Sequence, residues 1–87
     1  MALEQDFIKA AEGIRSLSKR LLETDALELY ALFKQATFGD INTERSSAVD
    51  HPAKAKWDHW NKKKGMSKDD AKKAYITCAN AVIPKYK

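Results

Sequence analysis

Apolar residues recur at every third or fourth position along most of the chain, which is the spacing of amphipathic helices, and almost no stretch alternates as a strand would. A first helix is predicted over roughly residues 3–17. Its apolar face consists of Leu3, Phe7, Ala10, Ala11, Ile14 and Leu17. Similar spacing predicts a second helix over roughly 22–38, a third that ends at Lys64 and a fourth after Gly65.

Polar residues and a glycine mark where the second helix begins and ends. Asp25, with Glu28 three positions later, resembles a capping arrangement at its start. Gly39 can adopt the left-handed backbone conformation that commonly follows a helix. We therefore expect the helix to end just before this glycine.

The third and fourth helices carry their own start and stop signals. Asp50 precedes Pro52, and a proline in the first turn of a helix sacrifices no hydrogen bond. Gly65 ends the third helix, and Ser67 is the predicted N-cap of the fourth. Pro84 lacks the amide hydrogen that would bond back to residue 80, so we expect regular helix to fray or kink there.

The connections between these helices predict the fold class. Residues 39–51, GDINTERSSAVDH, show neither period, and loops of about a dozen residues are uncommon in compact domains and often functional. Short connections at 18–24 and 65–66 favour antiparallel neighbours, whereas the long loop lets the second and third helices separate. The prediction is an all-α fold, a small skewed up-down four-helix bundle, in a single domain over residues 1–87.

The composition is typical of a reducing compartment. Cys78 is the sole cysteine in 87 residues, so no internal disulfide can form. The opening MALEQDFIKAAEG lacks the charged start and apolar run of a signal peptide. No apolar stretch approaches the ~20 residues that cross a bilayer. We expect a cytoplasmic protein without stable membrane insertion.

Charge is distributed unevenly along the chain. Residues 1–50 hold six Lys/Arg and nine Asp/Glu, a net charge of −3, whereas residues 51–87 hold ten Lys and three Asp, a net charge of +7. Such asymmetry indicates an anionic partner for the second half, although lysine-rich helix faces are more often solvated surface. Charge alone leaves open a small basic helical module that binds nucleic acid.

An aromatic and basic cluster stands on the second helix. Tyr30, Phe33 and Lys34 fall at i, i+3 and i+4 and therefore share one face. Leu29 and Leu32 point elsewhere and suffice for core packing. In a structural interpretation the two rings enter the core and Lys34 lays its aliphatic stem over them. In a functional interpretation the same face forms part of a ligand site.

The third helix, HPAKAKWDHWNKKKG, repeats the mixture of rings and ammonium groups. Trp57 and Trp60 are expected to anchor the core rather than to stack on a ligand. Lys54 and Lys56 face different directions, so at most one of them joins any given pocket. Tyr75, on the apolar face of the fourth helix, needs a partner for its hydroxyl, which places it at a pocket edge or against a backbone carbonyl.

Together these residues provide flat rings for a base and separate ammonium groups for phosphates, with small alanines between the helices. They suit a nucleotide-like ligand with an apolar tail and single-stranded nucleic acid equally well; a third interpretation is a bundle that only binds another protein. The sequence has no glycine-rich phosphate loop and no His/Cys cluster at metal-ligand spacing. Cys78 is expected to be a core residue. We predict no catalytic residue, no metal site and no cofactor.

Three stretches resemble the acyl-CoA-binding protein family: LYALFKQATFGDIN, KAKWDHWNKKKGMSKDDAKKAYI and FIKAAEGI. The match extends from Phe7 to about Tyr86, and its central words are among the family's most specific signatures. The resemblance implies a skewed four-helix bundle that binds medium- and long-chain fatty acyl-CoA esters without catalysis, as an intracellular carrier and pool. It also implies a monomer whose partner is the acyl-CoA ester and not nucleic acid.

The resemblance further implies which positions contact the ligand. Those for the CoA headgroup correspond to Tyr30, Lys34, Lys56 and Tyr75, with Phe33 as a further contact and Arg15 in place of a basic residue on the first helix. In the family the lysines and the first tyrosine engage the phosphates, chiefly the 3′-phosphate of the ribose, and an aromatic ring lies against adenine. The acyl chain runs between helices near positions that match Phe7, Ala11, Leu27 and Ala55.

The chain departs from the family pattern at three places. Phe33 stands where the family usually has tyrosine, so stacking survives while a hydroxyl contact worth about 1 kcal/mol is lost. ERSSAVDHPAKAKW, residues 44–57, replaces the family's RPG turn and the glycine before the lysine, which predicts a different path for the long loop. Pro84 stands where most members continue helically.

Overall fold

The described part of the chain is folded into four α-helices and the segments that connect them. A computed structural model describes residues 2–44 and 50–86. The helices are α1 (Ala2–Arg15), α2 (Glu23–Phe38), α3 (His51–Lys62) and α4 (Lys68–Tyr86). The predicted all-α four-helix fold is confirmed.

The core lies where α1 and α2 pack against α4, and α3 packs against α2. The prediction about neighbours is therefore wrong: among the described residues the backbone of α1 does not pack against that of α2, nor that of α3 against that of α4, whereas α2 and α3, which the long loop was expected to let separate, are in contact. Side chains that face this core are alanines, a few larger aliphatic residues and two aromatic rings, so the helices pack closely around them. The buried members are Phe7, Ala10, Ala11, Leu29, Leu32, Ala36, Ala71, Tyr75, Ala79 and Val82. This arrangement leaves α3 outside the main core, and no residue of α3 is buried.

Hydrogen bonds from two tryptophans attach α3 to the segment that follows α2. Trp57 donates through Nε1 to the carbonyl oxygen of Thr43 at 3.0 Å, and Trp60 donates through Nε1 to that of Gly39 at 3.0 Å. Both rings are half-buried. Neither ring belongs to the core cluster, so the expectation that the two tryptophans anchor the core is wrong; their anchoring contacts are indole N–H groups on loop carbonyls.

Most of the predicted helix ends are confirmed. The Asp50 carboxylate accepts from the amide of Ala53 at 2.8 Å, and the Ser67 hydroxyl accepts from that of Asp70 at 3.0 Å. Gly39 follows α2 with a φ of 83°, a value that favours glycine. Two helices end earlier than predicted. Helix α1 ends at Arg15 instead of residue 17, and the amide of Leu17 donates to the carbonyl of Ile14 in a tighter turn. Helix α3 ends at Lys62 instead of Lys64 and is followed by a turn.

The predicted capping role of Asp25 is wrong. The residue before α2 is Leu22, whose side chain provides no cap. Asp25 lies inside the first turn, where its carboxylate accepts from the Tyr86 hydroxyl at 2.7 Å and pairs with Lys85 at 3.1 Å. A negative charge still stabilises the helix at this point, because it lies near the positive end of the helix dipole.

The prediction of fraying at Pro84 is also wrong. Helix α4 continues through Pro84 to Tyr86. Pro84 leaves the carbonyl of residue 80 without its backbone partner, as a proline does anywhere beyond the first turn, and only two helical residues follow it. The bond between Tyr86 and Asp25 adds a tertiary contact at the helix end.

A buried polar clamp fixes the start of the long loop. The fully buried Gln35 donates through Nε2 to Asp40 Oδ1 at 2.8 Å and to the carbonyl oxygen of Met66 at 2.7 Å. Asp40 also accepts from the amide of Gly65 at 2.8 Å. These bonds tie the end of α2 to the turn between α3 and α4. Residues 45–49 lie outside the described residues, so the predicted change in loop path stays a prediction.

Candidate functional site

A mostly apolar hollow opens between the start of α2 and the start of α3. We call it the α2–α3 hollow; its volume is about 390 Å³. It is lined by Arg20, Leu21, Glu23, Ala26, Leu27, Tyr30, Pro52, Ala55 and Lys56. Apolar surface flanked by a few charged groups is the usual lining of a site for an amphipathic ligand.

A second hollow lies between α1 and α2, above α4. This α1–α2 hollow has a volume of about 260 Å³. It is lined by Ala11, Ile14, Arg15, Leu21, Ala26, Leu29, Tyr30, Phe33 and Tyr75. Leu21, Ala26 and Tyr30 line both hollows, so the two adjoin along the first half of α2.

Two ammonium groups converge on the ring of Tyr30. Lys34 Nζ lies 5.6 Å from the ring centroid, and Lys56 Nζ lies 5.4 Å from it. Both distances are within the range of cation–π attraction. Side chains from two different helices therefore approach the same ring, which lines both hollows. Lys56 also lines the α2–α3 hollow, whereas Lys34 lines neither hollow and is placed beside the site only through its contact with Tyr30.

Phe33 and Tyr75 form the aromatic floor of the α1–α2 hollow. The Phe33 ring stacks on Phe7 at a centroid distance of 5.6 Å and lies 6.0 Å from Tyr75. Burial raises the pKa of the Tyr75 hydroxyl, and the nearby Arg15 charge opposes this shift. Phe33 thus packs on the core, as in the structural interpretation, while it also faces the hollow.

The remaining predicted contact residues are divided between the hollows. Leu27 and Ala55 line the α2–α3 hollow, and Ala11 lines the α1–α2 hollow. Phe7 is buried at 4% exposure beneath Phe33. Arg15 is exposed at the edge of the α1–α2 hollow.

Sequence reasoning missed five residues that line the α2–α3 hollow: Arg20, Leu21, Glu23, Ala26 and Pro52. Three of them, Arg20, Leu21 and Glu23, belong to the connection before α2 or to its first residue. That connection has no helical period and no ligand motif, so no sequence signal singled it out. Ala26 is one of the small alanines that the sequence places between the helices.

A family model described as "Acyl CoA binding protein" matches residues 4–79. The chain belongs to the acyl-CoA-binding protein family. The resemblance seen in the three sequence stretches is thereby confirmed. Neither this match nor the relatives below support the nucleic-acid alternative.

Relatives of this family member match over nearly their whole length. An "Acyl-CoA-binding protein homolog" of Drosophila melanogaster is 44% identical over 84 residues, which cover 97% of this chain and 98% of the relative. A "Putative acyl-CoA-binding protein" from a species of Hypsibius is 40% identical over 85 residues, which cover 98% of this chain and 96% of the relative.

Solved structures of acyl-CoA-binding proteins share the fold. The crystal structure of Oryza sativa Acyl-CoA-Binding Protein 2 superposes with a TM-score of 0.86 at 34% identity, over 95% of this chain and 92% of that one. The structure of the Moniliophthora perniciosa protein gives a TM-score of 0.85 at 35% identity, over 97% and 83% respectively. The bundle is therefore of the acyl-CoA-binding protein type.

Other chemistry is sparse in the described part of this family member. Burial is the largest cause that raises the pKa of the half-buried Cys78 thiol, and the negative charges of Glu28 and Asp25 raise it further. The raised pKa disfavours the reactive thiolate. Within residues 2–44 and 50–86, no three His, Cys, Asp or Glu side chains are grouped so that they could hold a metal ion. No helix in these same ranges is long and apolar enough to cross a membrane.

Proposed function

We propose that this chain is a non-catalytic carrier of medium- and long-chain acyl-CoA esters, formed by a single domain over residues 1–87. It acts as a monomer in the cytoplasm, where it buffers and transports the ester. The supporting observation is the convergence of Lys34 and Lys56 on Tyr30, where two adjoining apolar hollows meet. A ligand with several negative charges at one end and a long hydrocarbon tail suits this arrangement.

The headgroup is held by the charged and aromatic residues. Lys34 and Lys56 bind phosphate oxygens, since charge-assisted hydrogen bonds are about twice as strong as neutral ones. Tyr30, between them, adds a hydroxyl and a ring face. Phe33, Tyr75 and Arg15 complete the contacts on the α1 side.

The acyl chain occupies the apolar linings. Leu27 and Ala55 in the α2–α3 hollow, and Ala11 in the α1–α2 hollow, offer small or aliphatic surface. Each methylene removed from water contributes about 0.8 kcal/mol, so a covered chain supplies a large share of the affinity. Phe7 supports this surface from below through its stacking on Phe33.

A carrier must hold the thioester without activating it. The thiol of Cys78 is packed against the core, and its raised pKa keeps it protonated at neutral pH. Such a thiol is a poor nucleophile toward the bound ester. The chain therefore acts on its ligand by binding and release, and it uses no cofactor.

Isothermal titration calorimetry tests the proposal. The purified chain is titrated with palmitoyl-CoA, free CoA and palmitate, and a single-stranded oligonucleotide serves as the comparison for the nucleic-acid alternative. We expect tight 1:1 binding of palmitoyl-CoA and much weaker binding of either half alone. Absence of heat with palmitoyl-CoA, or tighter binding of the oligonucleotide with a steep salt dependence, would refute the proposal.

A further inference from the structure

The last residue of α4 holds the connection between α1 and α2. The Tyr86 hydroxyl accepts a hydrogen bond from the amide of Leu22 at 3.0 Å and donates one to Asp25 Oδ2 at 2.7 Å. These bonds join positions 64 and 61 residues apart in the chain. Tyr86 lies beyond residue 79, where the match to the family model ends.

One of these bonds holds the backbone amide of the residue just before α2. Leu22 carries no side chain that can cap the helix, and its own amide donates to the Tyr86 hydroxyl. Lys85 pairs with the same Asp25 carboxylate at 3.1 Å but has no bond to Leu22. Leu22 is thus held at both backbone groups: its carbonyl oxygen accepts from the amide of Ala26 at 2.9 Å, and its amide donates to the Tyr86 hydroxyl.

The connection fixed in this way forms part of the ligand site. Leu21, next to Leu22, is half-buried against the core and lines both the α2–α3 hollow and the α1–α2 hollow. A hydrocarbon chain that extends along these hollows passes the Leu21 side chain. The hydrogen bond from the Leu22 amide to Tyr86 therefore acts on the backbone directly next to Leu21.

We propose that Tyr86 is a positioning residue that sets the preference of the site for long acyl chains. It holds Leu21 as the shared wall of the two hollows. The cationic part of the site, Lys34 and Lys56, lies on α2 and α3 and does not depend on this bond. This inference rests on the proposed acyl-CoA binding and names a determinant of chain length within it.

The test compares the wild-type chain with Tyr86→Phe, which removes the hydroxyl and keeps the ring. Kd is measured for palmitoyl-CoA and for butyryl-CoA. We expect the variant to bind palmitoyl-CoA about tenfold more weakly, the equivalent of one or two lost methylene contacts. The Kd for butyryl-CoA should change less than about twofold, because its short acyl chain makes little contact with Leu21.

Two matched variants and a second readout separate positioning from a general loss of stability. Lys85→Met removes the other partner of Asp25 and should leave the ratio of the two Kd values unchanged. Asp25→Asn weakens the support of Tyr86 and should shift the ratio in the same direction as Tyr86→Phe. Amide hydrogen exchange at Leu22 should accelerate in Tyr86→Phe and not in Lys85→Met.

Three results would overturn the inference. They are an unchanged Kd ratio in Tyr86→Phe, an equal weakening of both esters, or a shift of the same size in Lys85→Met. If the wild-type chain binds neither ester, the proposed function itself fails, and the inference falls with it. The two failures are distinguishable, because the first three results require a wild-type chain that binds palmitoyl-CoA.

Discussion

Lys34 is the residue whose surroundings best separate a ligand site from ordinary surface. Its ammonium group lies 4.8 Å from the ring centroid of Phe38, 5.6 Å from that of Tyr30 and 5.9 Å from that of Trp60. Phe38 is 65% exposed, so this ring is not held by core burial. Three rings around one cation restrict where the ammonium group lies, and a restricted group loses less entropy when it binds a phosphate.

We expect Lys34→Ala and Lys56→Ala each to weaken palmitoyl-CoA binding by about 1.5–3 kcal/mol, the range for hydrogen bonds to charged groups. The measurement is calorimetric titration at fixed ionic strength. Lys62→Ala is the matched control, because Lys62 is an exposed lysine of α3, whereas the ammonium groups that lie over the Tyr30 ring are those of Lys34 and Lys56. If both site variants bind like the Lys62 variant, the headgroup lies elsewhere.

At the scale of the helices, the Asp25 carboxylate joins the first turn of α2 to the last turn of α4 through Tyr86 and Lys85. The hydrogen bond from Tyr86, followed by that from Lys85, holds the pKa of Asp25 below its usual value. A carboxylate with a lowered folded-state pKa stabilises the fold above its unfolded pKa of about 3.9. That contribution is lost as the pH falls through the folded-state pKa.

We therefore expect the unfolding free energy of the wild-type chain to fall more steeply between pH 6 and pH 2 than that of Asp25→Asn. Urea denaturation at a series of pH values measures the difference. Some pH dependence remains in the Asp25→Asn variant, because a second carboxylate, Asp40, also has a lowered pKa. The main cause is the hydrogen bond from the Gly65 amide, followed by the bond from the Gln35 side chain. Parallel curves for the two proteins would show that Asp25 is not coupled to α4 in solution.

The end of α2 is held to the turn before α4 by the side chain of Gln35. Its Nε2 satisfies both Asp40 and the carbonyl of Met66, and the residue is fully buried. We expect Gln35→Leu to destabilise the chain by about 1–2 kcal/mol, because the Met66 carbonyl loses this donor, while Asp40 keeps the bond from the Gly65 amide. Urea denaturation measures the change. Thr37→Ala, at an exposed position of the same helix, should stay within about 0.5 kcal/mol of wild type.

The helix ends show which parts of the fold a sequence can predict. Asp50 and Ser67 are bonded to amides three residues away, and their capping roles follow from local sequence alone. Asp25 resembles a local cap, yet its partner Tyr86 is 61 residues away. Periodicity cannot reveal such a partner, since it reports only which residues share a helix face.

At the scale of the whole molecule, the same limit applies to the site. Tyr30 and Lys34 could be placed together from their spacing on one helix, whereas Lys56 reaches them from α3 only through the tertiary fold. The resemblance to the acyl-CoA-binding protein family supplied that third residue. Leu21 was missed by both routes, because its role depends on the path of a connection and on the far end of the chain.

The position of α3 outside the core predicts how the molecule responds to its ligand. No residue of α3 is buried, and its indole hydrogen bonds reach only the segment after α2. Few buried contacts favour local opening, so α3 should exchange its amide hydrogens faster than α4 in the free chain. A ligand in the α2–α3 hollow contacts Ala55 and Lys56 and adds interactions between α2 and α3.

We expect palmitoyl-CoA at 100 times its Kd, kept below its critical micelle concentration, to stabilise the chain by about 2.7 kcal/mol. In a domain of this size, that corresponds to a rise in Tm of roughly 10–20 °C. Hydrogen exchange should show the largest gain in protection in α3, because its opening is then opposed by bound ligand as well as by the indole bonds. Free CoA, which lacks the acyl chain, is the control and should give a smaller gain. Equal protection of all four helices, with no excess in α3, would mean that the ligand does not bridge α2 and α3.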